Sequence, residues 1–329
     1  MDAPLQVLLA TYNGERFVEE QLQSLLAQTY SDFEILASDD CSSDSTPDIL
    51  QKYAKADQRV RILHSGRRFG GARDHFFWLL TQATSPYVAF SDQDDLWLSD
   101  KLALGMEKME QLEKEHGATT PLLVFSDLAV AGEDLSVIHP SLYAYSGADP
   151  SRTKLPNLLA QNFVPGCVML ANRQLYHDVF TLPNEIEAVG MHDWWLILTA
   201  SALGHIGYVD GATMLYRQHG HNSVGAHSGQ ATDIVRQLGS YASKLLPNST
   251  QLDSIDLRLV QAAAFANAYA DVLAPEDVQL CRELSTLLDR SPIDRVLWCH
   301  KHDVTNATLV MRLGLDWELL LYEAGRRHS

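Results

Sequence analysis

Three aspartates, Asp92, Asp94 and Asp95, stand within four residues of the stretch FSDQDDLW, directly after the apolar run YVAF. Like charges so crowded repel one another unless a cation, a cluster of donors or a ligand neutralises them. Alternate side chains of an extended backbone share a face, so Asp92 and Asp94 are expected to point the same way. Hard oxygen ligands so placed suit Mg²⁺ or Mn²⁺, which typically take one or two carboxylates together with ligand phosphates. A solvated turn ahead of the next helix is the commoner role of an acidic turn. The setting argues for more here, because a second acidic pair, Asp39 and Asp40, follows the earlier apolar run FEILAS in the same manner.

Three other stretches carry chemistry-capable residues. Thr11, Tyr12 and Asn13 close the apolar run QVLLA, and Tyr12 is either an ordinary half-buried aromatic or a ring that stacks on a base. One carboxylate of Asp39-Asp40 could accept from a nucleobase imide or a ribose hydroxyl, or simply belong to the polar turn before Thr46. HDWW sets Asp193 beside two tryptophans, where it is either a helix N-cap or a carboxylate whose proton affinity the apolar rings raise, as a general base requires. YRQHGHNSVG gathers Arg217, His219 and His221; either histidine could ligate a metal and Arg217 could contact a phosphate, although lone histidines are usually structural.

Such scattered residues need elements that bring them together, and the first half of the chain supplies them. Apolar runs at 6–10, 33–38, 60–65, 87–91 and 121–127 alternate with amphipathic helical stretches, among them one with Thr46 as N-cap and Pro47 at its first position, and one capped by Ser99. That alternation predicts an α/β fold with a mostly parallel sheet flanked by helices. Ligands of such sheets bind outside the carboxyl ends of the strands, where Thr11–Asn13, Asp39-Asp40 and the Asp92–Asp95 cluster all fall. The middle of the chain is less regular, with a hairpin expected through HIGYVDGATMLYRQH. Beyond residue 228 only helical patterns remain, so we expect an α/β domain over 1–228 and a helical C-terminal subdomain over 229–329.

Composition narrows the partners. The 329 residues carry a net charge of −17, which disfavours nucleic acid because phosphate backbones want a basic face. A small phosphate ligand remains compatible with that charge when a metal supplies the local positive field. Four scattered cysteines without paired spacing fit a reducing compartment. MDAPLQVLLATYNG has no basic, then apolar, signal-peptide pattern, and WWLILTASALG is too short to span a bilayer. A cytoplasmic location is expected, with peripheral contact at the inner face of the membrane and self-association left open.

Taken in order, LLATYNGERFVEEQLQSLLAQTYSDFEILASDDCSSDST, FSDQDDLWLSDKL, HDWW and YRQHGHNSVG resemble the inverting family-two glycosyltransferases of the GT-A (Rossmann-like) fold. The DQDDLW and YRQHGHN strings are most similar to rhamnosyltransferase-like members that build bacterial surface polysaccharides. The resemblance covers about residues 5–225. It implies a dTDP-, UDP- or GDP-linked sugar donor, a glycan or lipid-linked saccharide acceptor, and Mg²⁺ or Mn²⁺. Thr11, Tyr12 and Asp39 would surround the base and Asp92 the ribose, Asp94 would bind the cation with His219 completing its site, and Asp193 would deprotonate the acceptor. In one departure, FGGARDHF carries Asp74 where many members have asparagine, leaving Arg73 to face the diphosphate. A sugar nucleotidyltransferase would share the sheet and metal carboxylates, but it wants a glycine- and basic-rich loop after the first strand, and LLATYNGERF holds one glycine and one arginine. A non-catalytic nucleotide- or Mg²⁺-binding module leaves HDWW and YRQHGHN unexplained.

Overall fold

The computed structural model describes residues 3–219 and 254–322. Its first strand, β1 (Leu5–Thr11), is buried along nearly its whole length, as a strand covered on both faces must be. β2 (Phe33–Asp39) pairs parallel to β1 on one side, and β3 (Val60–Leu63) pairs parallel to β2. β4 (Tyr87–Ser91) pairs parallel to β1 on its other side. The connecting helices are α1 (Val18–Leu26), α2 (Thr46–Ala56) and α3 (Ala72–Gln82), and α3 packs on β1. Register places Thr11 opposite Asp39 and Leu9 opposite Ser91, so the loops leaving β1, β2 and β4 emerge along one edge.

Beyond β4 the sheet changes character. The short β5 (Leu96–Trp97) and α4 (Lys101–His116) lead to β6 (Leu122–Ala131), on which β7 (Val137–His139) folds back antiparallel. After α5 (Leu142–Ser146) and α6 (Leu155–Ala160), β8 (Met169–Asn172) inserts between β4 and β6, antiparallel to both. α7 (His192–Leu203) then precedes β9 (His205–Arg217), which pairs parallel to β6 and returns the chain to β5. The resulting order is β3-β2-β1-β4-β8-β6-β9-β5.

Three local expectations are corrected. HIGYVDGATMLYR is one long strand and no hairpin: Asp210-Gly211 forms a bulge, since Ser126 faces Val209 while Asp127 faces Ala212, and Gly211 takes φ +102° there. Thr46 is not an N-cap but the first, fully buried residue of α2; Ser45 holds the N-cap without a side-chain cap bond, and Asp44 just ahead of it accepts through Oδ1 from Thr46 N at 3.0 Å and Thr46 Oγ1 at 2.6 Å. Ser99 does not cap α4 either, since Asp100 holds that position without a side-chain cap bond and Gln28 Oε1 accepts from Leu102 N at 3.0 Å.

The C-terminal helices are α8 (Ser254–Ala268), α9 (Pro275–Ser285), α10 (Pro292–Lys301) and α11 (Leu309–Leu321). They share the hydrophobic core of the sheet-bearing part. Trp195 of α7 meets Phe265 of α8 edge-on at 5.3 Å, and Tyr269 Oη lies 3.0 Å from Thr199 Oγ1. Each such buried aromatic is worth about 1.5–3 kcal/mol over an exposed one, so this contact alone ties the tail firmly to α7.

Candidate active site

The edge where the loops leave β1, β2 and β4 begins with Thr11, whose Oγ1 donates to Asp39 Oδ1 at 2.9 Å. Ser42 donates its N–H to Asp39 Oδ2 at 2.8 Å, so the half-buried Asp39 is held in one orientation. Tyr12 is 43% exposed at the tip of β1, with the Arg68 guanidinium 4.9 Å from its ring centroid and bonded to its hydroxyl at 2.7 Å. Asn13, at φ +46°, accepts from Ser43 N at 2.8 Å through Oδ1 and so ties the β1 loop to the β2 loop. The adjacent carboxylate behaves differently from Asp39. Asp40 is buried, accepting from Phe69 N and, at 2.8 Å, from Gly70 N. Its expected ligand contact is therefore corrected: both oxygens shape the loop ahead of α3. Arg73 donates to Asp74 Oδ1 at 2.7 Å and to Val189 O at 3.0 Å, so the departure at Asp74 gives Arg73 an internal partner.

The acidic cluster lies at the end of β4. Burial raises the Asp92 carboxyl to about 7, and the charges of Asp94 and Asp193 push in the same direction. Asp95 is fully buried and likewise raised by burial and by its two neighbours; its Oδ1 accepts from Arg217 N at 3.2 Å. Lys101 lies close by, 4.7 Å from the Trp97 ring centroid, its ammonium pKa lowered by burial to about 8. Asp94 Oδ2 stands 2.8 Å from His219 Nε2, joining the β4 and β9 ends, and the His219 ring stacks on Phe17 at 4.9 Å. A carboxylate oxygen and an imidazole nitrogen so close suit a single divalent cation by their chemistry. Arg217 is corrected as a phosphate contact. Its side chain is 4% exposed, and its guanidinium donates to Asp94 O at 2.8 Å, Glu133 O and Glu20 Oε2, bracing the loop that carries Asp94. His221 lies outside the described residues.

Near this cluster stands Asp193, whose charge acts on Asp92. It does not cap α7, whose N-cap is Met191; it occupies the first turn instead. Gly166 N donates to its Oδ2 at 3.0 Å and Trp194 N to its Oδ1 at 2.6 Å. Burial raises its pKa to about 6 against the opposing pull of those bonds and of Asn162. Asp193 opens onto a cavity of about 310 Å³ whose walls are mainly apolar, with Phe163, Trp194, Tyr216 and Met311 among them.

Against this geometry stand the similarities to known proteins. The Glycosyl transferase family 2 model matches residues 6–164. The dTDP-rhamnosyl transferase RfbG of Shigella flexneri is 30% identical over 229 residues, covering 67% of this chain and 74% of its own length. The chain belongs to glycosyltransferase family 2. TuaG of Bacillus subtilis (strain 168), assigned to teichuronic acid biosynthesis, is 37% identical over 198 residues, 59% of this chain and 71% of that one. Among solved structures, S. aureus TarS 1-349 in complex with UDP-GlcNAc superposes with a TM-score of 0.52 at 16% identity, covering 97% of this chain and 91% of that one. That likeness gives the GT-A fold, and with the family it makes this protein a nucleotide-sugar-dependent glycosyltransferase.

For this family-two glycosyltransferase, sequence reading overlooked the loop between α6 and β8. Gly166 meets Asp193, while the Cys167 thiol comes within 4.8 Å of ligand oxygens of Asp92 and Asp95. No periodicity marks that loop, and its cysteine shares no spacing motif with the acids it meets. Lys101 was equally silent, because a lysine in the first turn of an amphipathic helix reads as solvent-facing.

Proposed function

We propose that this glycosyltransferase is metal-dependent and inverting, moving a sugar from a nucleotide-diphospho-sugar to a hydroxyl of a glycan or lipid-linked acceptor in bacterial surface polysaccharide synthesis. The observation that carries the reading is the nearness of Asp193, with its raised proton affinity, to the cluster at the end of β4, where its charge helps raise Asp92. Thr11, Tyr12 and Asp39 would receive the base, since the Tyr12 ring is exposed and Asp39 is already oriented. Asp92 would accept from the ribose, and Arg73 would serve the diphosphate from its place beside Asp74. Asp94 and His219 would hold Mg²⁺ or Mn²⁺. When bound, the cation would offset the charge developing on the departing nucleoside diphosphate. Asp193 accepts the acceptor's hydroxyl proton, and attack from the face opposite the leaving group inverts the anomeric carbon. A dTDP-rhamnose donor is the first to try, because that sugar figures in the name of the Shigella relative.

Among the described residues no helix is long and apolar enough to cross a membrane. Ile293 and Leu297 on α10 and Leu313 and Trp317 on α11 are each more than half exposed, which supports peripheral contact at the cytoplasmic face or pairing with a second copy.

The test is to incubate the protein with Mn²⁺ and a panel of dTDP-, UDP- and GDP-sugars, following free nucleoside diphosphate. Slow metal-dependent release from one donor, accelerated by an acceptor, is expected. Release of pyrophosphate from nucleoside triphosphate and sugar phosphate would instead make it a nucleotidyltransferase.

A further inference from the structure

The cavity in front of Asp193 is completed by the C-terminal segment. Ala307, Thr308 and Met311 form one wall, facing Phe163, Trp194 and Leu142 across about 310 Å³. This wall is pinned in place. Asn157 Nδ2 bonds Asp303 O and Oδ2, both at 2.8 Å, and Arg152 reaches Thr305 Oγ1 at 2.8 Å. Gln161, at the end of α6, then clamps the segment twice: its Oε1 accepts from Ala307 N at 3.1 Å and its Nε2 approaches Met311 Sδ at 3.3 Å. Thr308 caps α11 by accepting from Met311 N at 3.2 Å, fixing where the methionine stands. Helices that served only to bury an exposed face would not need their linking segment tied beside a carboxylate of raised proton affinity.

The lining says what the cavity takes. Its volume sits at the lower end of the range for small-ligand sites, about 300–1,000 Å³, which suits a mono- or disaccharide and is too little for a long prenyl chain. Aromatic and aliphatic walls pack against C–H surface, while Asn162 and Ser146 supply a few polar groups to read hydroxyls. A fully hydroxylated ring would leave hydroxyls facing apolar wall without partners, at a cost. We propose that this is the acceptor-sugar subsite, that the C-terminal segment around Met311 determines its specificity, and that the sugar bound carries a methyl, as a 6-deoxy or N-acetyl sugar does. This rests on the reading of Asp193 as the base.

The experiment uses the full chain with Mg²⁺ and nucleoside diphosphate, and ligand-observed NMR with methyl 6-deoxyhexoside, methyl N-acetylhexosaminide and methyl hexoside. The methyl-bearing probes should bind about fourfold tighter than the hexoside, the worth of one buried methylene. Met311→Trp, which fills the cavity, should weaken both at least about tenfold while nucleoside diphosphate affinity stays as in wild type. Equal or better binding of the plain hexoside, no glycoside binding at all, or unchanged affinity in a nucleotide-binding Met311→Trp protein overturns the proposal. If that variant does not fold, Met311→Ala takes its place: enlarging the cavity should alter the preference among the probes, and an unaltered preference overturns the proposal as well. Failure of the wild type to bind any nucleoside diphosphate would count against the donor reading, not against the subsite.

Discussion

Gly166 donates its backbone N–H to Asp193 Oδ2 at 3.0 Å, linking the loop before β8 to the carboxylate proposed as the base. The approach is so close that a Cβ on residue 166 would lie 2.8 Å from His192 Nε2. His192 cannot withdraw, because its ring is buried and stacked at 4.3 Å on Phe76. Gly166→Ala should therefore destabilise the protein by about 1–3 kcal/mol, the usual cost of overpacking. It should also lengthen the bond to Asp193, weakening an interaction that holds the carboxyl pKa down. Thermal unfolding and a pH–rate profile check both effects; wild-type Tm with an unmoved profile would show that the contact is slack.

The pH dependence follows from Asp193 itself. Burial raises its pKa from the ordinary carboxylate range to about 6. A base must be ionised to accept a proton, so kcat should rise with pH through about 6 and level off above it. The same shift has the opposite sign for stability. The folded state holds this proton more tightly than the unfolded chain, so Asp193 costs stability above pH 6 and the cost disappears as pH falls toward the unfolded value. A kcat profile at saturating donor that stays flat between pH 5 and 7 would remove Asp193 from the chemistry.

Much of this site was legible because strand order does the work. Once apolar runs alternate with helices, the loops after β1, β2 and β4 must leave one edge of the sheet, so the shared edge of Thr11, Asp39 and Asp92 was readable from position. Their neighbours were harder to tell apart. Asp39 and Asp40 are adjacent and identical, yet one accepts from Thr11 and Ser42 and the other folds the Phe69-Gly70 loop, a difference set by which way the backbone turns. Arg217 looked like a phosphate ligand and is a buried brace, since nothing in YRQH tells that Glu20, Glu133 and Asp94 converge on it. β8 and the loop before it left no pattern, because they lie in the irregular middle of the chain, outside the strand–helix alternation that marked the equally short β3. The Asp210-Gly211 dipeptide signals a turn, and only the partner strand decides between a turn and a bulge.

The proposed metal binding rests on Asp94 and His219, 2.8 Å apart. Asp94→Asn removes the charge but not the shape, so the apo protein should be as stable as wild type or slightly more so, with repulsion from Asp92 and Asp95 relieved. Outer-shell changes alone typically cost ~10–100-fold in metal affinity, and loss of a ligand should cost at least as much. Isothermal titration of nucleoside diphosphate with and without Mn²⁺ decides: Mn²⁺-dependent binding of unchanged affinity in the variant would displace the metal from Asp94.

The central claim is that Asp193 does chemistry while the β4 edge binds the donor, and Asp193→Asn separates the two most directly. The amide is isosteric but keeps one acceptor oxygen where Gly166 N and Trp194 N use two, so one of those bonds is lost and thermal unfolding of the variant is measured beside its activity. Sugar transfer to an acceptor should fall ~10²–10⁴-fold, the usual worth of a general base, with nucleoside diphosphate affinity unchanged. Transfer by Asp193→Asn at close to the wild-type rate would contradict the account.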